Sequence, residues 1–353
     1  MSHNLVFKAG PGAFDSIRRE GFAPERIGTI AGASGGAKWL VLSQLDRAIL
    51  NSVVPNLRGP VHLIGTSIGA WRFACYAQAN PIAAIERFEA AYIEQSYSDS
   101  PDSREITGKS REIMRLVLAG NAAQEILEHP VLRSHIMTVR ARHVSASDNR
   151  FALSAALFAA ATVNVMSRRL LGFFFERALF FDARDLPPFF DASGFPLQRI
   201  RISPDNLEDV IVATGSIPLV LDGVRDISGA RRGVYRDGGV IDYHLDLPQS
   251  EPERLTLYPH FFGHLVPGWF DKKLFWRGPN PRHLDRTILV SPSPEFVARL
   301  PGRKIPDRSD FKRYEPKERV RVWQEVVRSC EALADEFNNV LATDQLAARL
   351  EPL

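Results

Sequence analysis

Blocks of apolar and polar residues alternate along the first hundred positions of this chain. The runs Asn4–Lys8, Arg26–Ile30 and Val61–Ile64 have the short apolar pattern of strands. Between and after them, Ala13–Glu20, Ala37–Leu50, Ile68–Ala79 and Pro81–Gln95 read as helices. Strand–helix alternation of this kind predicts a parallel sheet covered by helices. Residues 96–110 are polar and read as a loop, with helices from there to about Leu132. Ile136–Ala141 reads as a strand, and the apolar stretch 151–181 ends in a phenylalanine-rich segment. Further strands are expected at Leu197–Ile202, Leu255–Tyr258 and Thr287–Val290, with one or two amphipathic helices from Pro316 to Leu350. No repeat, low-complexity segment or linker divides the chain, so residues 1–353 read as a single α/β domain.

Composition narrows the functional classes. With 353 residues, 45% of them hydrophobic, the chain has ample material for a large core. The net charge is only +3 and the cations are interspersed with acids, which argues against dedicated nucleic-acid binding. The two cysteines, Cys75 and Cys330, make neither a disulfide framework nor a metal cluster and suit a reducing compartment. No long apolar segment opens the chain. The longest apolar run, Phe151–Met166, falls short of the roughly 20 residues of a membrane span and carries Ser154, Thr162 and Asn164. The expectation is a cytoplasmic protein. No metal-ligand spacing appears, and no cofactor is implied.

Two Gly-x-Ser-x-Gly patterns stand out, centred on Ser34 and Ser67. A serine becomes a nucleophile when its oxygen is exposed, a base takes its proton and donors await the oxyanion. A strand-to-helix elbow meets the first need, and flanking glycines allow its strained turn. Ser67 fits: Val61–Ile64 leads in, Gly65 and Gly69 flank it, and a helix follows whose first N–H, that of Ile68, can serve an oxyanion. Ser34 lies instead in the glycine-rich run Gly32-Ala33-Ser34-Gly35-Gly36-Ala37-Lys38, whose N–H groups and cation suit an anion cradle. The run is not a Walker A loop, because Ala37 and Trp39 break that pattern. The two loops are one helix and one strand apart, so they can adjoin at the carboxyl ends of neighbouring strands. Far downstream, Asp237 precedes Gly238 and Gly239 on a tight turn after a short strand-like run and supplies a candidate base.

These pieces together resemble the patatin-like phospholipase family. Gly35-Gly36-Ala37-Lys38 is similar to its glycine-rich oxyanion loop, Gly65–Gly69 to its nucleophile elbow, and Asp237-Gly238-Gly239 to its distant Asp-Gly-Gly. The stretch Ala213–Val220 resembles the segment preceding the family's aspartate. The resemblance spans about residues 27–248; Trp39 departs from the usual glycine, and residues 249–353 match no part of the pattern. It implies a three-layer α/β/α fold and a Ser67–Asp237 dyad without histidine. It implies an oxyanion hole of Gly35, Gly36, Lys38 and Ile68, and hydrolysis of acyl esters in lipids without metal. Transient contact with a lipid surface is expected around Phe173–Phe190, which is also the candidate acyl groove or else core. The alternatives are an acyltransferase using Ser67 and a non-catalytic lipid- or partner-binding protein. A Ser67, Asp237 and His260 triad is a further formal possibility.

Overall fold

The runs Ile27–Gly32, Val61–Thr66, Leu255–Pro259 and Thr287–Pro292 are buried along their whole lengths in the computed structural model. The structure describes residues 3–353 except 191, 193 and 252. A strand buried on both faces needs helices on both sides of its sheet, the arrangement that parallel crossovers produce. The chain is accordingly an α/β protein built on one mixed, mainly parallel sheet. Its strands are β1 (Leu5–Ala9), β2 (Ile27–Gly32), β3 (Val61–Thr66), β4 (Leu132–Ala141), β5 (Phe175–Phe181) and β6 (Leu197–Arg201). They continue with β7 (Val224–Arg225), β8 (Val234–Asp237), β9 (Leu255–Pro259), β10 (Thr287–Pro292) and β11 (Leu350–Pro352).

The order across the sheet is β11-β1-β10-β9-β2-β3-β4-β5-β6. Every pairing from β10 to β4 is parallel. β1 joins β10 and β5 joins β4 in antiparallel sense. Residues 249–353, which match no motif, thus supply β9 and β10 to the central run and β11 to an edge.

β4 is the longest strand and carries two partners end to end along one edge. Its first part pairs with β3 in parallel, finishing with Thr66 opposite Met137. The next residue, Thr138, lies opposite Asp237, the last residue of the antiparallel β8. β3 and β8 therefore approach each other from opposite directions. Their carboxyl ends meet over two successive residues of β4.

Several expectations are corrected. The segment 37–50 is not one helix: a 3₁₀ turn, Gly36–Leu42, precedes the helix Ser43–Ser52. Trp39, on that turn, is buried with its ring stacked on Phe88 at 4.4 Å between centroids, and core packing overrides the regular helix there. The polar stretch 96–110 is not all loop. A helix starts at Ser103, its N-terminus capped by the Asp102 carboxylate, which accepts from Glu105 N at 2.8 Å. The phenylalanine-rich run is core more than surface. Phe175 and Phe180 lie on β5 between two strands and are fully buried, Phe189 is buried against His62 and His135, and Phe173 is exposed. Large exposed aromatics occur elsewhere, at Phe151, Phe158, Phe275 and Trp276. No helix among the described residues is long and apolar enough to cross a membrane. His62, a polar residue within β3, is buried and bonds His135 of β4 through Nδ1···Nε2 at 2.9 Å. Burial pulls the His62 imidazole down to about 4, so it is neutral.

The helix after β3, Ile68–Tyr76, is buried at every residue, including the charged Arg72. A buried guanidinium must be paired. Arg72 Nε donates to Asp46 Oδ2 at 2.8 Å, its NH2 group donates to Oδ1, and Tyr76 Oη donates to the same carboxylate at 2.8 Å. Asp46 lies on Ser43–Ser52, so the pair locks the helix behind Ser67 to its neighbour. Replacing Arg72 with leucine strands the Asp46 charge and is expected to lower the unfolding free energy in urea melts by about 3–5 kcal/mol. The double variant Arg72→Leu/Asp46→Leu should lose less than that single change. A single-variant loss under about 1 kcal/mol would show that the pair does not anchor the helix.

Candidate active site

β3 ends at Thr66, and the chain turns at Ser67 into the helix Ile68–Tyr76. Ser67 has φ 53° and ψ −129°, outside the regions that a residue with a Cβ ordinarily occupies. Such a conformation costs of order 1–3 kcal/mol and persists only where the surroundings enforce it. The flanking glycines permit it by close approach: a Cβ on Gly65 would come within 2.4 Å of Ala70 N, and one on Gly69 within 2.0 Å of Gly32 O. Thr214 enforces it. Its Oγ1 accepts from Ser67 N at 2.8 Å and donates to Met137 O at 2.5 Å, tying the elbow to β4.

Asp237 arrives from the opposite direction on β8. Its backbone N–H donates to Ser216 O at 3.0 Å, so the segment Ala213–Val220 braces both the elbow and the aspartate. Ser67 Oγ donates to Asp237 Oδ2 at 2.7 Å. The other oxygen, Oδ1, accepts from Gly239 N at 2.7 Å and from Ser34 Oγ at 3.3 Å. Ser34 Oγ also lies 2.9 Å from Thr66 Oγ1. Gly238 and Gly239 form the turn after Asp237, and a Cβ on Gly239 would sit 2.3 Å from Ser34 Oγ. Both oxygens of the carboxylate are thus held, one by the elbow serine and one by fixed donors.

Ser34, Ser67 and Asp237 meet at the wall of a cavity of about 280 Å³. Ser34, Gly35, Gly36, Lys38, Ser67, Asp237 and Gly239 line it. Among the described residues, the N–H groups of Gly35 and Gly36 donate to no backbone acceptor and no side chain. Two free donors beside a serine oxygen are what an oxyanion requires. Ile68 opens the helix directly behind Ser67; its side chain is in the core and does not line the cavity, while its N–H belongs to the uncapped first turn. Ile217, Pro218, Val240 and Trp269 form an apolar flank. The phenylalanine-rich run does not reach this cavity.

Burial raises the Asp237 carboxyl to about 6, against the bonds from Ser67 and Gly239, which pull it down. His260 is buried and neutral, drawn down to about 3 by desolvation, and its Nδ1 accepts from Phe262 N at 2.9 Å. Among the described residues no histidine bonds to Ser67 or Asp237.

Residue types and spacing singled out Ser67, Asp237 and the glycine-rich loop, and these come together. Sequence reasoning missed the bond from Ser34 to Asp237 and the brace through Thr214. It also missed Tyr243, Trp269, Lys272 and Arg308, which line the cavity from outside the recognised motifs. Thr214 had a signal, since it sits in the stretch singled out before the aspartate. Lys272 and Arg308 had none, because they lie in residues 249–353 in no recognisable pattern.

No protein-family model matches the chain, and no curated protein matches it. Among solved structures, VipD from Legionella pneumophila is similar at 13% identity and a TM-score of 0.33. The match covers 75% of this chain and 54% of VipD, so the chain spans about half the length of that protein.

The raised Asp237 carboxyl has a consequence for stability. Its folded value of about 6 exceeds the ordinary 3.8, so the native state holds a proton that the unfolded chain releases. Below pH 3.8 both states are protonated and burial of charge costs nothing; above about 6 both are ionised and the cost is fully present. Asp237→Asn should therefore gain stability relative to the native protein as pH rises from 4 to 8, by up to about 3 kcal/mol in paired urea melts. A difference that does not change with pH would contradict a buried carboxylate.

Proposed function

We propose that this chain is a serine acyl-ester hydrolase of the patatin-like kind, acting on lipid or related acyl esters. The observation that carries the reading is the 2.7 Å bond from Ser67 Oγ to Asp237 Oδ2 in a cavity flanked by unengaged glycine N–H groups. Ser67 Oγ attacks the ester carbonyl carbon as its proton passes to Asp237. The carbonyl oxygen becomes an oxyanion held by Gly35 and Gly36, with the N–H of Ile68 and the charge of Lys38 behind them. The carbon–oxygen bond to the alcohol breaks, and Asp237 returns the proton to the leaving alkoxide. Water then attacks the acyl-enzyme, gives its proton to Asp237 and releases the acid, and the proton goes back to Ser67.

An aspartate near its reference value is a weak base at neutral pH. Burial strengthens this one while leaving it ionised above about pH 6. Its second oxygen, held by Gly239 and Ser34, keeps the carboxylate from rotating away as the proton moves. Ser34 is thus a positioning residue. The acyl portion of a substrate rests against Ile217, Pro218, Val240 and Trp269.

Turnover of 4-nitrophenyl butyrate tests this reading. Ser67→Ala should lower kcat at least about a thousandfold. Ser34→Ala should keep a measurable rate, reduced about tenfold by loss of one bond to the base. The wild-type rate should rise with pH through about 6 and then level. A Ser34→Ala protein as inactive as Ser67→Ala, or a rate lost with His260→Gln and kept with Asp237→Asn, would overturn the dyad.

A further inference from the structure

The helix Arg150–Met166 is apolar on both faces. Leu153, Leu157 and Ala160 are buried and share a core cluster with Phe175 and Ile241. Phe151, Phe158 and Val165, spaced about two turns apart, line the opposite face in solvent, and Met166 follows them. Phe151 is 88% exposed and Phe158 76%. No charged residue stands between Arg150 and Arg168. A helix at the surface of a globular domain ordinarily turns charged and polar side chains to water, and this one turns phenylalanine. The face is extended by Phe275, 96% exposed, and Trp276, on a loop bound to the end of the helix. Arg277 Nη2 donates to Asn164 O at 2.9 Å, and Asn164 Nδ2 donates to Asp271 Oδ1 at 2.8 Å. Six of the eleven large apolar side chains exposed among the described residues thus lie on this helix and this one loop.

The charge around the face has one sign. No acid occurs from Asn149 to Phe175 or from Lys272 to Leu284. Asp271, at the start of the loop, is buried among Asn164, Arg168 and Arg277. Asp148, ahead of the helix, pairs with Arg225. Arg150, Arg169 and Lys273 are exposed and, among the described residues, form no ion pair. Two copies meeting through this face would bring like charges together, and a neutral partner would leave them unmatched. Side chains this exposed project from the molecule and call for a partner that yields around them.

We propose that the helix Arg150–Met166 and the Phe275–Trp276 loop form a docking face for a bilayer with an anionic surface, the acidic lipid serving as anchor and not as substrate. The proposal stands independently of the hydrolase reading. The helix lies in the plane of the interface, its outer apolar side chains sunk roughly 5–10 Å among headgroups and acyl chains. Trp276 takes the headgroup level that indoles favour, and Arg150, Arg169 and Lys273 meet the lipid phosphates. The contact expected of the phenylalanine-rich run falls instead to the preceding helix and to a loop of the C-terminal third. The segment bearing that loop also carries Trp269 and Lys272 of the cavity wall, so docking holds this wall close to the bilayer.

Sedimentation with vesicles tests this, using the Ser67→Ala chain so that the lipid stays intact. Phosphatidylcholine vesicles containing about 30% phosphatidylserine should bind at least about tenfold more tightly than phosphatidylcholine alone, and less so in about 0.5 M salt. Phe275→Ser/Trp276→Ser and Phe158→Ser should each weaken binding to the anionic vesicles at least about fivefold. Arg150→Gln/Arg169→Gln/Lys273→Gln should bring the two vesicle types within about twofold of each other. Brominated lipid in the anionic vesicles should quench tryptophan emission, and Trp276→Phe should lose most of that quenching. The substituted side chains are exposed, so urea melts should be unchanged. Turnover of 4-nitrophenyl butyrate, which needs no bilayer, should be unchanged by Phe275→Ser/Trp276→Ser in the chain with Ser67 intact. A chain that binds the anionic vesicles through these residues but hydrolyses nothing upholds the docking face and overturns only the hydrolase reading. Equal binding to both vesicle types, or anionic binding undiminished without the aromatics, would overturn the face. Binding to neither would overturn it too, and self-association lost in Phe158→Ser would then assign these residues to a second copy.

Discussion

The site depends on one constraint of register: two strands of opposite direction end against each other on the same edge of β4. Thr66 pairs with Met137 and Asp237 with Thr138, so the residue after β3 and the last residue of β8 are forced into contact. Backbone hydrogen bonding along β4 sets this meeting, and side-chain packing only refines it. A one-residue slip of either strand would send its side chain to the other face of the sheet. The bonds of Thr214 to Ser67 N and Met137 O, and of Asp237 N to Ser216 O, hold the junction where the two ladders stop.

From that meeting the remaining features follow as supports. The elbow's positive φ lifts Ser67 Oγ toward the carboxylate, at an energetic cost that buried packing of the following helix offsets. β2 lies beside β3 in parallel register, Gly32 opposite Gly65, which brings Ser34 to the second oxygen of Asp237 and Gly35 and Gly36 to the cavity. Burial then makes the aspartate more basic than an exposed one. The C-terminal residues complete the enclosure. They supply β9 next to β2 and, beyond the sheet, the segments bearing Trp269, Lys272 and Arg308.

Much of this was legible in the residues. The strand β3, the elbow, the glycine-rich loop and the Asp-Gly-Gly turn each have a local signature, because each needs glycine at a fixed place for steric reasons. The parallel central strands were legible as continuous apolar runs. What the chain concealed is non-local. Nothing around Ser34 shows that its hydroxyl would reach a carboxylate more than two hundred residues away, a contact created by strand order. The phenylalanine-rich run read either as core or as a lipid-facing groove, and what decides for core is that β5 is enclosed by β4 and β6, a property of the sheet. Trp39 replaces an expected glycine without filling the cavity because its ring packs against Phe88 in the core. The cations of residues 249–353 carry no motif, and only folding brings them to Ser67.

The central claim is that Ser67 is activated by Asp237 and by no other group. A fluorophosphonate probe followed by peptide mass analysis measures this directly, because phosphonylation needs an activated serine and no natural substrate. The account predicts a single label on Ser67, formed at a rate that rises through about pH 6 and falls at least about a hundredfold in Asp237→Asn. Labelling of Ser34 instead, or labelling of Ser67 at an undiminished rate in Asp237→Asn, would contradict it.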